Sequence, residues 1–411
     1  MYEKLRKAKE AFKDIRTLDE DSRNRVLSDF SDALLRNSDL IIEENRKDLL
    51  KATEEGLSSS FIDRLTLTRE RIEAMASGVL KVKDLKDPVG NIIEERTLES
   101  GLLLRKMTVP IGVICIIFES RPNVAADCAA LCFKSANVCI LKGGKEAYAS
   151  CRVITDIFRD ILRNNGISTD CLILMENMSH EETRKLMECN EYIDLLIPRG
   201  SSRLIDAVIK EARVPVIETG AGICHIYVDE SADQDMAIDI IVNAKCSRPS
   251  VCNAMETLLV HESIAESFLP LIFRALNEKG VSIHSDEKSH RILPETLQAS
   301  DEDFHTEYND LIMNLKIVGS IEEAVGHIER YGTHHSDCII TEKEENVSYF
   351  FRNVDSACLY HNASTRFTDG EMFGLGSEIG ISTQKLHARG PMGLEALCTY
   401  TYELRGKGQI R

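Results

Sequence analysis

The sequence predicts an α/β protein built on mostly parallel sheet with helices on both faces. Short apolar runs at 111–118, 138–142, 171–175, 193–197, 214–217 and 223–228 alternate with helical stretches at 124–135, 146–164 and 202–212, the rhythm of a covered parallel sheet. Most links between runs reach the dozen or so residues that a parallel crossover needs. The same rhythm resumes after residue 255, with strand-like 256–261, 314–318 and 337–341 and helical 263–279 and 321–331.

The elements follow in order. Residues 1–85 read as helices: Leu27, Phe30 and Leu34 recur at helical spacing, as do Ile41, Ile42, Asn45 and Leu49, and Glu54-Glu55-Gly56 is a helix stop. At Pro88-Val89-Gly90 the period changes. Residues 91–97 and 102–108 are strand-like around Glu99-Ser100-Gly101, a long hairpin. Its apolar Ile92, Ile93, Leu102, Leu103 and Leu104 fit either pairing with another subunit or an ordinary surface hairpin, with equal weight. No repeat or low-complexity linker separates the two α/β stretches, so the join is placed near 225–245.

At 411 residues the chain is long enough for two or three domains. With 43% hydrophobic and 28% charged residues it has the composition of a folded soluble protein. A net charge of −17 repels phosphate backbones and argues against nucleic acid as a partner. Charges at Glu3, Lys4, Arg6 and Lys7 stand where a signal peptide would be apolar. The longest apolar run, Val109–Phe118, is about half of what spans a bilayer. The expectation is a cytoplasmic protein with no membrane partner. The 13 cysteines are scattered without a C-x-x-C pair and lack histidines at metal spacing, so neither a disulfide framework nor a metal site is expected.

Cys252 is the exception among the thiols. It lies in Ser247-Arg-Pro-Ser-Val-Cys252-Asn-Ala-Met-Glu256, a small, polar turn between a helical and a strand-like stretch, with Glu218 upstream on the Gly-rich Glu218-Thr-Gly-Ala-Gly222. A thiol so placed, preceded by a carboxylate, points to attack on a carbonyl. Three further turns follow predicted strands. Lys142-Gly143-Gly144-Lys145 offers cations and flexible backbone to a phosphate or ribose, and Pro198-Arg199-Gly200-Ser201 offers free helix N-terminal amides. Either turn alone is better read as a helix cap; together, on the carboxyl edge of one sheet, they point to a nucleotide. In Phe118-Glu119-Ser120-Arg121-Pro122-Asn123, Asn123 is either an oxyanion donor or a helix cap, and Arg121 either an anion contact or a surface charge. The run His327, Tyr331, His334, His335, Ser336, Asp337 has no metal-ligand spacing and reads as substrate hydrogen bonding or plain loop. A cysteine hydrolase using His225 or His261 is a weaker reading, because His261 lies beyond an apolar strand.

These residues resemble the gamma-glutamyl phosphate reductases of the aldehyde dehydrogenase superfamily over nearly the whole chain. The resemblance rests on Val109-Pro-Ile-Gly-Val-Ile114, Phe118–Asn123, Glu218–Gly222, Val251-Cys-Asn-Ala-Met-Glu-Thr257, the diagnostic run from Ala324-Val-Gly-His327-Ile328 to Tyr331-Gly-Thr-His-His335-Ser-Asp337, and the closing segments 365–371 and 375–380. It implies an aldehyde-dehydrogenase-like fold: a Rossmann-like cofactor domain (1–87 and 109–224), an α/β catalytic domain (225–364), and a small β oligomerisation module (88–108 and 365–411). It further implies NADPH as cofactor and glutamyl 5-phosphate as substrate. The product would be glutamate 5-semialdehyde, made through a cysteine thioester in proline biosynthesis. NAD-dependent oxidation of a free aldehyde is the alternative. By position, Cys252 is the nucleophile, Glu218 the general-base glutamate and Asn123 an oxyanion candidate. Lys142, Lys145, Gly200, Ser201 and Glu307 fall on the cofactor side, although the usual motif around that last glutamate reads Glu307-Tyr-Asn-Asp-Leu here. Arg121, His327 and His335 fall on the substrate side. A homo-oligomer is implied, with glutamate 5-kinase as a candidate partner.

Overall fold

Side-chain caps begin several of the first helices. Asp19, Ser58 and Thr68 accept hydrogen bonds from the backbone N–H groups of Ser22, Phe61 and Arg71, satisfying donors that a helix leaves open at its start. The computed structural model describes residues 1–176 and 179–411. Its opening helices are Tyr2–Ile15, Glu20–Arg36, Ser38–Glu54, Ser59–Leu65 and Arg69–Asp84. Gly56, at φ +72°, takes the left-handed turn that follows the third. The stripe Val26, Leu27, Phe30, Leu34 is buried, and Phe30 packs edge-on against Phe158 at 4.7 Å between ring centroids.

The chain divides into two units. The first comprises Met1–Thr219, Gly374–Gly380 and Met392–Arg411, the second Gly220–Phe373 and Ile381–Pro391. The division expected after residue 224 thus falls at 219/220, and it is drawn differently at the C-terminus. Of the expected module 365–411, strand Cys398–Arg405 pairs antiparallel with Leu103–Pro110 of the hairpin, giving a three-stranded sheet with Ile92–Thr97 at its edge. Residues 365–373 and 381–391 belong instead to the second unit.

In the first unit the described residues form a four-stranded parallel sheet, ordered Leu172–Leu174, Val138–Lys142, Val113–Phe118, Leu195–Arg199. Val113–Phe118 is buried throughout, as expected of a strand covered on both faces. The run 214–217 contributes only a bridge between Val216 and Leu196. Lys142, Arg199 and the turns after them therefore lie together at the carboxyl edge.

The run 223–228 joins a separate sheet in the second unit. There a seven-stranded parallel sheet is ordered Leu297–Gln298, Ser282–Ser285, Ile312–Val318, Met255–His261, Cys224–Val228, Ser336–Ile340, Cys358–His361. Helices Gln234–Cys246 and Glu262–Asn277 pack on one face around Ile226, Leu258 and Leu315. Helices Ile321–Tyr331 and Glu344–Asn353 pack on the other around Tyr227, Leu259 and Ile339.

Candidate active site

The thiol turn is set by its two flanking elements. Helix Gln234–Cys246 ends just before Pro249, a residue that cannot continue a helix with its N–H bonded, and strand Met255–His261 begins three residues after Cys252. Eleven of the thirteen cysteines are buried; Cys252 and Cys246 are partly exposed. Gly222 passes so close that a Cβ there would stand 1.5 Å from the Cys252 carbonyl oxygen, so only glycine permits this approach.

A buried polar circuit holds the turn. The Cys224 thiol donates to the Cys252 carbonyl at 3.2 Å and lies 3.8 Å from His335 Nδ1. His335 Nδ1 is 2.9 Å from Ser336 Oγ, which is 2.6 Å from Thr368 Oγ1, itself 2.7 Å from Tyr360 OH. The Thr368 carbonyl accepts from Asn253 Nδ2 at 2.7 Å, and Thr365 Oγ1 donates to the Asn253 carbonyl at 2.7 Å. The path thus returns to the residue beside Cys252. Burial raises the Cys224 thiol pKa well above its ordinary value, which keeps it a protonated donor. Beneath the turn, Lys245 and Glu256 form an ion pair at 2.8 Å with both side chains sealed from solvent. Burial pushes the Glu256 carboxyl up to about 7 against the pull of Lys245.

The substrate role expected of His327 and His335 does not fit these surroundings. His335 is 1% exposed and His327 4%. His327 sits among Phe304, Tyr331 and His225, at ring-centroid distances of 5.0, 4.4 and 5.5 Å. Burial first, and the neighbouring His225 second, push its pKa down to about 2; burial lowers that of His335 to about 4. Both are neutral core histidines. The adjacent His334 differs because its φ of +59° turns it outward, where its Nδ1 meets the Asp355 carbonyl at 2.7 Å. Glu307 accepts from the Gly222 N–H at 2.9 Å, tying one carboxylate oxygen to the backbone beside the thiol turn.

The other candidates lie in the first unit. Asn123 opens helix Asn123–Lys134 and donates to Asp127 Oδ2 at 3.0 Å. Its amide runs along its own helix, so the expected oxyanion role gains no support, and the helix cap is the preceding Pro122. Lys142 is half-buried at its strand end, and desolvation lowers its pKa. Lys145 is 3.4 Å from Glu55, an exposed ion pair. Glu218 is half-buried, and Arg121 is exposed. The helix amides after Gly200 are not all free, as the sequence led one to expect. Ser201 N–H and Oγ both donate to the Glu119 carboxylate, at 3.0 and 2.8 Å, and that carboxylate packs where a Gly200 Cβ would sit, 2.7 Å away. The donors at this helix start suit an anion such as a cofactor phosphate, and the Glu119 carboxylate now holds those of Ser201. Glu119, Cys224, Asn253 and Thr368 had no assigned role in the sequence. The segments quoted for the resemblance contain Glu119, Asn253 and Thr368, and Cys224 lies just beyond one of them.

Residues 2–293 match the model of the aldehyde dehydrogenase family. The chain is 52% identical over 408 residues to a gamma-glutamyl phosphate reductase of Caldanaerobacter subterraneus subsp. tengcongensis, with 99% of each chain covered. It is 48% identical, over the full length of both chains, to that of Nautilia profundicola. The crystal structure of the Thermotoga maritima gamma-glutamyl phosphate reductase superposes with a TM-score of 0.98 at 43% identity, covering 100% of this chain and 99% of that one. The chain belongs to the aldehyde dehydrogenase family and, within it, to the gamma-glutamyl phosphate reductases.

Proposed function

We propose that the chain reduces L-glutamyl 5-phosphate to L-glutamate 5-semialdehyde with release of phosphate, the second step of proline biosynthesis from glutamate. The observation that carries this reading is Cys252: a partly exposed thiol on a turn held by a buried circuit, in a chain whose relatives at 48% and 52% identity are named for this reduction. Cys252 as thiolate attacks the acyl carbon. The C–S bond forms as the C–O bond to phosphate breaks, and phosphate leaves with the electron pair. NADPH, when bound, supplies the hydride that reduces the thioester. The Cys252 sulfur then departs as thiolate when the thiohemiacetal collapses to the aldehyde. Lys142, Gly200 and Ser201 would hold the dinucleotide, with Lys145 as an outer cation, and Glu307 its nicotinamide ribose. Oxyanion stabilisation falls to backbone donors such as the Cys252 amide. The reduction has no attacking water, so Glu218 tunes the thiol or serves the reverse direction. Arg121 is assigned to an anionic group of the substrate.

We further propose a cytoplasmic homo-oligomer, with glutamate 5-kinase as a candidate partner. Ile92, Ile93, Tyr400, Tyr402 and Leu404 of the three-stranded sheet are each 50–55% exposed, and an apolar patch of this kind favours the intersubunit reading of the hairpin. Among the described residues no helix is long and apolar enough to cross a membrane.

The test is oxidation of glutamate 5-semialdehyde with NADP, run with and without phosphate, beside intact-mass measurement of the protein with glutamyl 5-phosphate alone. Phosphate-dependent turnover and an acyl adduct lost in Cys252→Ala are expected. Phosphate-independent oxidation with NAD would favour the free-aldehyde reading, and turnover by Cys252→Ala would end the covalent route.

A further inference from the structure

The proposed substrate carries a phosphate dianion on the carbon that Cys252 attacks, so cations beside the thiol would attract it. Arg121, assigned above to an anionic group of the substrate, belongs to the first unit. In the second unit Arg366 lies against the thiol turn. It follows Thr365 in the short 3₁₀ turn Thr365–Phe367, and Thr365 is anchored by its hydroxyl to the Asn253 carbonyl. The Arg366 guanidinium spans the thiol turn: Nε donates to Ser247 Oγ at 3.1 Å, at the start of the turn, and Nη1 donates to Asn253 Oδ1, next to Cys252. Arg248, on the turn itself, is exposed. Burial lowers the Arg366 pKa from its ordinary value, and the Arg248 charge adds to this against the opposing pull of Asp369 and Cys252. In a chain of net charge −17, the Cys252 turn thus carries one arginine, Arg248, and is strapped by another, Arg366.

A planar guanidinium with several donors is the side chain best suited to phosphate. Partial desolvation beside the turn strengthens the attraction over that of a surface arginine.

We infer that Arg366 and Arg248 form the subsite for the phosphoryl group, binding it in the acyl phosphate and retaining it as orthophosphate after the C–O bond breaks. The inference rests on the acyl-phosphate reading above. It assigns Arg366 two tasks: its Nε and Nη1 strap the turn, and the cationic group as a whole attracts the phosphate. In the reverse direction the same pair holds orthophosphate for attack on the thioester.

The experiment measures semialdehyde oxidation by the full chain with NADP over a range of orthophosphate, for wild type, Arg248→Gln, Arg366→Gln and Arg366→Lys. Loss of either charge should raise KM for orthophosphate roughly 10- to 100-fold, with partial recovery in Arg366→Lys. Arg248→Gln leaves the contacts of Arg366 with Ser247 and Asn253 in place, so its effect does not depend on an intact strap. A second measurement needs no turnover: alkylation of Cys252 by anionic iodoacetate and by neutral iodoacetamide, with and without orthophosphate. Wild type should favour iodoacetate more than either Gln variant does, and only wild type should be protected by millimolar orthophosphate. A purely structural strap would change both reagents alike. Wild-type turnover that ignores phosphate would overturn the functional reading. Phosphate-dependent wild type with unchanged KM in both Gln variants, or retained orthophosphate protection in them, would overturn the subsite alone.

Discussion

The Cys224 thiol donates a hydrogen bond to the backbone carbonyl of Cys252 at 3.2 Å. The Cys252 turn is thereby held by a second, buried cysteine. A net hydrogen bond of this kind contributes about 1 kcal/mol, and leaving its part-buried acceptor unpaired costs up to about 1–3 kcal/mol. Cys224→Ala should therefore lower kcat by about 5- to 30-fold at little change in KM, and Cys224→Ser, which keeps a donor, should recover most of it. Equal kcat in the Ala and Ser variants would show that the bond does not position the thiol.

Gly222→Ala should be more damaging than its size implies. The added methyl would overlap the Cys252 carbonyl, and backbone rather than a flexible side chain would have to move. Overpacking of a fixed contact costs about 1–3 kcal/mol or more. Thermal unfolding and the rate of Cys252 alkylation should both change; a variant with wild-type values of each would refute the close approach.

The sealed pair Lys245–Glu256 gives a third expectation. Removing one partner leaves a buried charge uncompensated, which costs about 3–5 kcal/mol. Lys245→Met should lose stability on this scale by urea unfolding, whereas the double change Lys245→Met with Glu256→Leu should regain much of it. A single variant as stable as wild type would show that the carboxyl is already neutral in the fold.

Acid sensitivity follows from the core histidines. His327 and His335 have folded pKa values of about 2 and about 4, below their ordinary 6.5. Between those values and 6.5 the unfolded chain binds the extra proton, so stability falls as pH falls. The loss begins near pH 6.5 and amounts to about 1.4 kcal/mol per pH unit for each histidine. Glu256, raised to about 7, acts in the opposite sense above pH 4.5. The comparison is therefore between wild type and His327→Leu, in which Glu256 is common to both. From pH 6.5 to 5 wild type should lose about 2 kcal/mol more than the variant; parallel curves would mean that His327 titrates normally.

The Glu119 carboxylate on Ser201 gives a last expectation. A negative side chain on these donors would compete with an anionic cofactor bound there. Glu119→Gln should tighten NADPH binding by about 2- to 5-fold, measured by fluorescence titration. Weaker binding would mean that the carboxylate organises the site instead of blocking it.

What could be read in the sequence was local. The helix 321–331 coincides with the observed one, and strands 138–142, 223–228 and 256–261 fall within a residue or two, because each is specified by its own period and by the breakers beside it. Cys252 stood out for the same reason, as a thiol on a small polar turn. The ends of the short strands Ser282–Ser285 and Leu297–Gln298 were not legible, since two to four residues carry no usable period.

By itself the sequence determined the fold class and the succession of elements, and it singled out Cys252 as the thiol to test. Only the tertiary structure decided what the surrounding polar residues do. A histidine at a given spacing can face substrate or core, and the choice is made by what packs over it: Phe304 and Tyr331 enclose His327, while Cys224 and Ser336 meet His335. Those partners are up to 111 residues apart in the chain, and a pattern read along the chain contains no term for contacts closed across such a distance.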